Sequence, residues 1–327
     1  MLCALADSSF TLEQWLDFVD QCFEKTARDY FSAHVYNDPH FDARLIFIVH
    51  DEDSNSIVST LRVFVRQSVG SGAGHGLWAG IGEVCTSPGF RCRGFATRLL
   101  DFALEALRKD GRFTLATLHA GHYSPFYVRL GWIVVPRKIA QVTLAIDSVR
   151  ELASRQPRAE KVHLIDWQSA SASAIPHLSR CHERYAQHFE GCFTRSAAYW
   201  ELWVQWAWQQ LPGAVCTMSE NGYMVAVAEG ANTIRIIEYG CLDSEASAGA
   251  FWPLLAYTLS HLAWRSHGHF SLRLPSTELA EALGRCGESI ISEVRMETTH
   301  TIHYRLLDGT ALLPEEEKHL FWEIDNF

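Results

Sequence analysis

The stretch Val84-Cys-Thr-Ser-Pro-Gly-Phe-Arg91-Cys-Arg-Gly94-Phe-Ala96-Thr-Arg-Leu-Leu100 holds a turn of the form Arg-x-x-Gly-x-Ala. A strand pattern leads into it and an amphipathic helix pattern leaves it. Such a turn aims several backbone N–H groups at one point, where a helix N-terminus adds positive potential. The chemistry this suits is the cradling of a pyrophosphate. Gly94 has no Cβ, so a phosphate can approach the backbone closely. Arg91 and Arg93 add charge.

The elements that place this turn follow from periodicity. Leu12, Trp15, Leu16, Val19 and Phe23 mark one helix face over residues 11–23, with Thr11 and Gln14 as its capping box. Strands are expected at 45–49, 57–66 and 80–86, the last broken by Pro88. The Gly-rich run 69–76 lacks the Gly-Lys-Ser/Thr ending of a P-loop and reads as a flexible hairpin. After the basic turn, Leu99, Leu100, Ala103, Leu104 and Leu107 share a helix face, and Gly111 stops the helix. A strand at 113–118, a short helix at 126–130 and strands at 132–135 and 141–145 continue the sheet. The pattern is α/β with a mixed sheet.

The chain has 327 residues, so two domains are expected. The charged, Pro-containing segment 150–160 is the expected joint, dividing the chain into 1–150 and 151–327. The second part repeats the order of the first. It has a strand at 161–167, helices at 173–188 and 195–210, and strands at 214–219, 222–229 and 232–240. A long helix at 247–266 follows, then strands at 270–274 and 288–306, and a tail from 314 that begins helical. Its strand at 232–240 is followed by an acidic turn, Gly-Cys-Leu-Asp-Ser-Glu, which repels a pyrophosphate.

A 48% hydrophobic, 20% charged composition is that of an ordinary globular protein. The formal net charge of -10 argues against nucleic acid and anionic membrane as partners and suits a cationic amine better. The nine cysteines are odd in number and without a Cys-x-x-Cys pair. They read as reduced thiols of a cytoplasmic protein, with neither a disulfide frame nor a metal site. No signal peptide and no membrane-spanning run is expected.

The basic turn, together with Phe126-Tyr127-Val-Arg-Leu-Gly131-Trp132, resembles the two conserved blocks of the GCN5-related N-acetyltransferase (GNAT) superfamily. Gly80-Ile-Gly-Glu-Val-Cys-Thr-Ser-Pro is similar to a narrower branch, the tandem-GNAT, Eis-like acyltransferases. Gly222-Tyr-Met-Val-Ala, Glu238-Tyr, Phe251-Trp-Pro-Leu-Leu and His303-Tyr-Arg-Leu-Leu-Asp308 resemble that branch's central domain. The chain is too short for the third, sterol-carrier-like domain of larger members.

The resemblance implies a GNAT domain followed by a degenerate GNAT-like domain. It implies transfer of an acetyl group from acetyl-CoA to a primary amine, directly, through a tetrahedral intermediate. Val84, Cys85 and Thr86 would pair with the pantetheine arm like an added strand. Cys92, Arg93, Gly94, Phe95, Ala96 and Thr97 would hold the pyrophosphate. His122 and Tyr123 match positions near the coenzyme. Tyr127 matches the family's general acid, whose ordinary pKa near 10 keeps it protonated at neutral pH.

The base is left open among the chain's terminal carboxylate at Phe327, Glu83 and water. Either carboxylate could instead be structural. His119 and His122 fit packing better than a base role. The Trp-dense stretch Tyr199-Trp200-Glu-Leu-Trp203-Val-Gln-Trp206-Ala-Trp208 reads first as interdomain core and second as an aromatic wall for a cation. Cys85 reads as a small buried thiol, not a covalent nucleophile. No metal is implied. The acceptor is a small-molecule or protein amine, and an oligomer is compatible with the sequence. From another functional class, a catalytically silent acyl-CoA-binding or sensing protein remains.

Overall fold

The computed structural model describes residues 1–23, 28–69, 75–154, 161–165, 171–242, 247–262, 268–274, 291–309, 311–316, 319–320 and 325. In the first half, β1 (Leu2–Ala4) precedes α1 (Leu12–Cys22) and α2 (Arg28–Tyr36). Three strands follow, β2 (Ile46–Asp51), β3 (Ser56–Gln67) and β4 (Leu77–Thr86), then α3 (Phe95–Asp110). Next come β5 (Phe113–His119), α4 (Ser124–Arg129), β6 (Ile133–Val134), β7 (Arg137–Ala145) and α5 (Ile146–Ser154). The second half holds β8 (His163–Leu164), α6 (Ser171–Ala186), a π-helical turn (Tyr199–Val204), α7 (Gln205–Gln210) and β9 (Val215–Met218). Last are β10 (Gly222–Glu229), β11 (Thr233–Cys241), α8 (Ser247–His261), β12 (His269–Leu274), β13 (Ile291–Thr299) and β14 (Ile302–Leu306).

The capping box forms as its spacing predicts. Thr11 N–H donates to Gln14 Oε1 at 2.8 Å, and Gln14 N–H donates to Thr11 Oγ1 at 3.2 Å. Trp15, Leu16, Phe18 and Val19 of α1 are buried. The stripe Leu99, Leu100, Ala103, Leu104 and Leu107 of α3 is buried against the first sheet. Gly111, at φ 71°, ends α3 by donating its N–H to the Leu107 carbonyl at 3.2 Å.

The described strands make two mixed sheets, ordered β1-β2-β3-β4-β5-β14-β6 and β13-β7-β12-β11-β10-β9-β8. Each sheet contains one strand from the other half of the chain. β7 was expected to continue the first sheet; instead it pairs with β12 and β13 in the second. β14 lies in the first sheet between β5 and β6. Its Ile302 and Tyr304 bury against Trp78, Leu115 and Val135. This apolar contact supplies the physical reason for the exchange.

Two other expectations need correction. Residues 311–315 are irregular, not helical. β1 and α2 were not anticipated from the sequence. Residues 70–74 of the Gly-rich run, 155–160 of the joint and the acidic part of the turn, 243–245, lie outside the described residues. No helix among the described residues is long and apolar enough to cross a membrane.

Candidate active site

β4 and β5 run parallel from Leu77↔Phe113 to Ile81↔Leu118, and there the pairing stops. β4 continues to Thr86 along β3 alone, with Ser59↔Thr86 and Thr60↔Cys85. Residues 82–86 therefore have an edge that no described strand covers. Between Thr60 and Arg62 the β3–β4 register shifts, and Glu83 takes φ 55°. A non-glycine residue in the left-handed region inside a strand is a β-bulge feature with local strain. The bulge re-aims the amides that follow it. Val84, Cys85 and Thr86, predicted for the pantetheine arm, sit on this open edge. Ser59 Oγ, bonded to the Cys85 carbonyl at 2.9 Å and to Thr86 Oγ1 at 2.8 Å, holds them to β3.

The predicted cradle follows directly. A single 3-10 turn, Pro88–Phe90, leads to Cys92 at φ 60° and Gly94 at φ 75°, and α3 starts at Phe95. Arg98 N–H makes the first helical bond, to the Gly94 carbonyl at 3.1 Å. The backbone amides of Cys92, Arg93, Gly94, Phe95, Ala96 and Thr97 donate to no acceptor among the described residues. A Cβ built on Gly94 would meet no atom within 4 Å, so this glycine's requirement is its backbone conformation and whatever approaches it. Cys92 is exposed. The two arginines differ. Arg91 turns back to donate to the Thr86 carbonyl at 3.1 Å, while Arg93 lies over the Phe90 ring at 5.2 Å.

Tyr127 stands on α4, beyond the end of β5. It is 9% exposed and packs between Phe126, Trp132 and His303. Its hydroxyl has no hydrogen-bond partner among the described residues, and it is not among the fully enclosed polar atoms. Burial, with a smaller effect of Tyr123, pushes its pKa up to about 12. His122 and Tyr123 are exposed, with rings 4.0 Å apart.

Glu83 lies beside His34 of α2 and Arg62 of β3, and its side chain is 4% exposed. Arg62 Nη1 lies 3.7 Å from Glu83 Oε1, and His34 Nδ1 lies 3.6 Å away. Neither Glu83 oxygen accepts a hydrogen bond from the described residues, and both are enclosed. Burial lowers the pKa of His34 more than Glu83 raises it, which favours the neutral imidazole. Cys85 is a poor nucleophile, because burial pushes its thiol well above the usual range. Cys22 lies beside it, within hydrogen-bonding reach of its thiol. Phe327, the other candidate base, lies outside the described residues.

The second half holds a matching glutamate in a contrasting setting. β11 runs parallel to β12 and antiparallel to β10, with a register shift next to Glu238. Glu238 is fully occupied. Arg195 donates to it at 2.6 and 3.1 Å, and Tyr223 OH at 2.5 Å. Burial opposes its ionisation, but Arg195 and His182 outweigh burial and lower its pKa to about 2. Trp200, Trp203 and Trp208 are buried, in line with the core reading of that stretch. Among the described residues no group of three or more His, Cys, Asp or Glu is arranged to hold a metal ion.

Sequence reasoning missed His34, Asp38, Arg62 and Arg66 around Glu83. One signal was present: two arginines in an otherwise apolar strand, residues 57–66, invite buried carboxylates.

Residues 8–135 match the family described as Acetyltransferase (GNAT) domain. No curated protein matches the chain. A GCN5-related N-acetyltransferase from Kribbella flavida is similar in structure, with a TM-score of 0.65 at 18% identity, over 94% of this chain and 71% of its own. One from Anabaena variabilis has a TM-score of 0.66 at 14% identity, over 94% of this chain and 73% of its own. Eis1 from Mycobacterium abscessus has a TM-score of 0.63 at 15% identity, over 94% of this chain and 74% of its own. At these identities the likeness is one of fold. The family match thus covers residues 8–135, and over 94% of the chain the fold is like that of GCN5-related N-acetyltransferases and of Eis1.

Proposed function

We propose that this chain transfers an acetyl group from acetyl-CoA to a primary amine. The observation that carries the reading is the run of unpaired amides from Cys92 to Thr97 at the start of α3, beside an uncovered strand edge. Amides without acceptors at a helix N-terminus suit a pyrophosphate. The edge of Val84–Thr86 suits the amide-bearing pantetheine arm. The bulge at Glu83 turns a β4 amide toward the thioester carbonyl, where it stabilises the negative oxygen of the tetrahedral intermediate.

The amine nitrogen attacks the carbonyl carbon, the C–S bond breaks, and the sulfur leaves with the electron pair. Tyr127 gives its hydroxyl proton to that sulfur, so the products are an N-acetyl amine and free coenzyme A. The proton lost by the amine goes to a carboxylate or to water. Glu83 is one candidate, its oxygens accepting no hydrogen bond among the described residues. The terminal carboxylate of Phe327 is another. His122 and Tyr123 border the coenzyme. The second half shapes the acceptor side, and its Glu238 is tied up by Arg195 and Tyr223. The eight described cysteines are free thiols, which suits a reducing, cytoplasmic setting.

The test is thiol release from acetyl-CoA with a panel of small amines and a lysine peptide. Turnover with at least one amine is expected. Tight coenzyme binding with no turnover on any amine would instead favour a silent acyl-CoA sensor. A C-terminal extension tests the terminal carboxylate: loss of activity selects Phe327, and full activity rules it out and leaves Glu83 or water.

A further inference from the structure

Seven buried charges run in alternation from the transfer strand into the second half. Glu83 lies 3.7 Å from Arg62, and Arg62 lies 3.8 Å from Asp38. Asp38 accepts from Arg66 at 2.9 Å. Arg66 lies over the Tyr199 ring, 5.0 Å from its centroid. The Tyr199 hydroxyl donates to Asp325 at 3.2 Å. Asp325 accepts from Arg195 at 3.1 and 2.8 Å, and Arg195 also grips Glu238. All seven charged side chains are buried, and three guanidiniums alternate with four carboxylates. Burial works against ionisation of Asp38, yet Arg66 and Arg62 hold its carboxyl below the usual range.

Charges withdrawn from water persist only where their partners are held in place. Moving one member of such a chain therefore disturbs the next. The chain links separate parts of the fold. Arg62 and Arg66 lie on β3, Asp38 follows α2, Tyr199 lies on the π-helical turn, Glu238 lies on β11, and Asp325 lies in the tail.

We propose that Asp325 and Arg195 are positioning residues for the acyl-transfer site, fixing Glu83 on β4 through Tyr199, Arg66, Asp38 and Arg62. The proposal rests on the acetyltransferase reading for its kinetic part only. It explains why a tail residue is enclosed with two separate partners: the second half completes the setting of a strand in the first. No residue of the cradle at Cys92–Thr97 is paired with the chain of charges among the described residues.

The experiment compares Asp325→Asn, Asp325→Glu and Tyr199→Phe in the full chain. Three quantities are read: steady-state kinetics with an accepted amine, acetyl-CoA affinity by calorimetry, and amide hydrogen exchange. Asp325→Asn should lower kcat at least tenfold while acetyl-CoA affinity stays within twofold. Exchange should quicken in residues 34–38 and 80–86 and stay unchanged in 92–97. Asp325→Glu should recover part of kcat, and Tyr199→Phe should fall between. A lower melting temperature with unchanged kcat and unchanged exchange at 34–38 and 80–86 overturns the proposal, leaving Asp325 as a tail anchor. Should Asp325→Asn fail to fold, Tyr199→Phe decides, because it keeps the ring under Arg66 and removes one hydrogen bond. Should the native chain acetylate no amine, the acetyltransferase reading falls, and the exchange pattern still decides the coupling.

Discussion

Tyr127 and His303 face each other with ring centroids 6.0 Å apart, one on a helix of the first half and one on a strand from near the end of the chain. His303 Nε2 also lies 2.7 Å from Ser124 Oγ, at the start of the same helix. The proposed acid is thus set by a contact across 176 positions of sequence (303 minus 127).

Tyr127→Phe removes only a hydroxyl that has no partner among the described residues. Stability should hold within about 0.5 kcal/mol. Turnover should fall by roughly 10²-fold or more, the usual worth of a positioned acid. Unchanged kcat in steady-state assays would rule out the acid role.

His303→Ala deletes the ring behind Tyr127 and the partner of Ser124. The expected outcome is a smaller loss of kcat than for Tyr127→Phe, with faster amide exchange over residues 124–129. Equal exchange in mutant and native chains would show that β14 does not brace this helix.

Gly94→Ala meets no protein atom within 4 Å, so its structural cost is the left-handed backbone alone, about 1–2 kcal/mol. The added methyl lies where the phosphate approaches. Coenzyme affinity should drop by about tenfold, equivalent to about 1.4 kcal/mol. Calorimetry that finds native affinity would place the phosphate elsewhere.

Arg195→Met leaves Asp325 and Glu238 enclosed without their shared cation. Breaking a buried pair in this way costs about 3–5 kcal/mol. Urea unfolding should show that loss. A change under about 1 kcal/mol would mean that the two carboxylates find other partners.

Acid should weaken the fold well above the range of ordinary carboxylates. Burial, with Arg137 adding, lowers His119 to about 3 from a usual 6.5. Burial also lowers His319 to about 4, against a carbonyl that raises it. In that window the unfolded chain binds protons that the native state refuses. Unfolding free energy then rises with pH, so this contribution is complete above pH 6.5 and is lost as pH falls toward 3–4. Each group can account for about 1.4 kcal/mol per pH unit across its window. Urea midpoints at pH 7, 6 and 5 check this, and His119→Gln should flatten the slope.

Local signals carried much of the fold. The Thr11–Gln14 box, the α3 stripe and the Gly111 stop each lie within one helix, and each formed where its spacing placed it. The cradle turn is also local, since glycine and basic residues in one short loop announce it. Other features depend on distant partners. The exchange of β7 and β14 has no local mark, because alternation tells a strand from a helix but not which sheet it joins. The positive φ of Glu83 is invisible in Gly82-Glu83-Val84, since no glycine sits at the bulge itself. Asp325 and Arg195 are 130 positions apart, and their pairing is set by the packing of the tail. α2 has a weak apolar face and mixes His34 with aromatic residues.

The interlocked sheets impose an order on synthesis. When residue 150 leaves the ribosome, Leu115 and its neighbours on β5 still wait for Ile302 and Tyr304, while β7 has no companion at all. The nascent protein must carry an apolar flank and an orphan ribbon until residues 269–306 have emerged. A gene split at the middle would yield two fragments that need each other, and co-expressing them should rescue solubility where either one alone clumps.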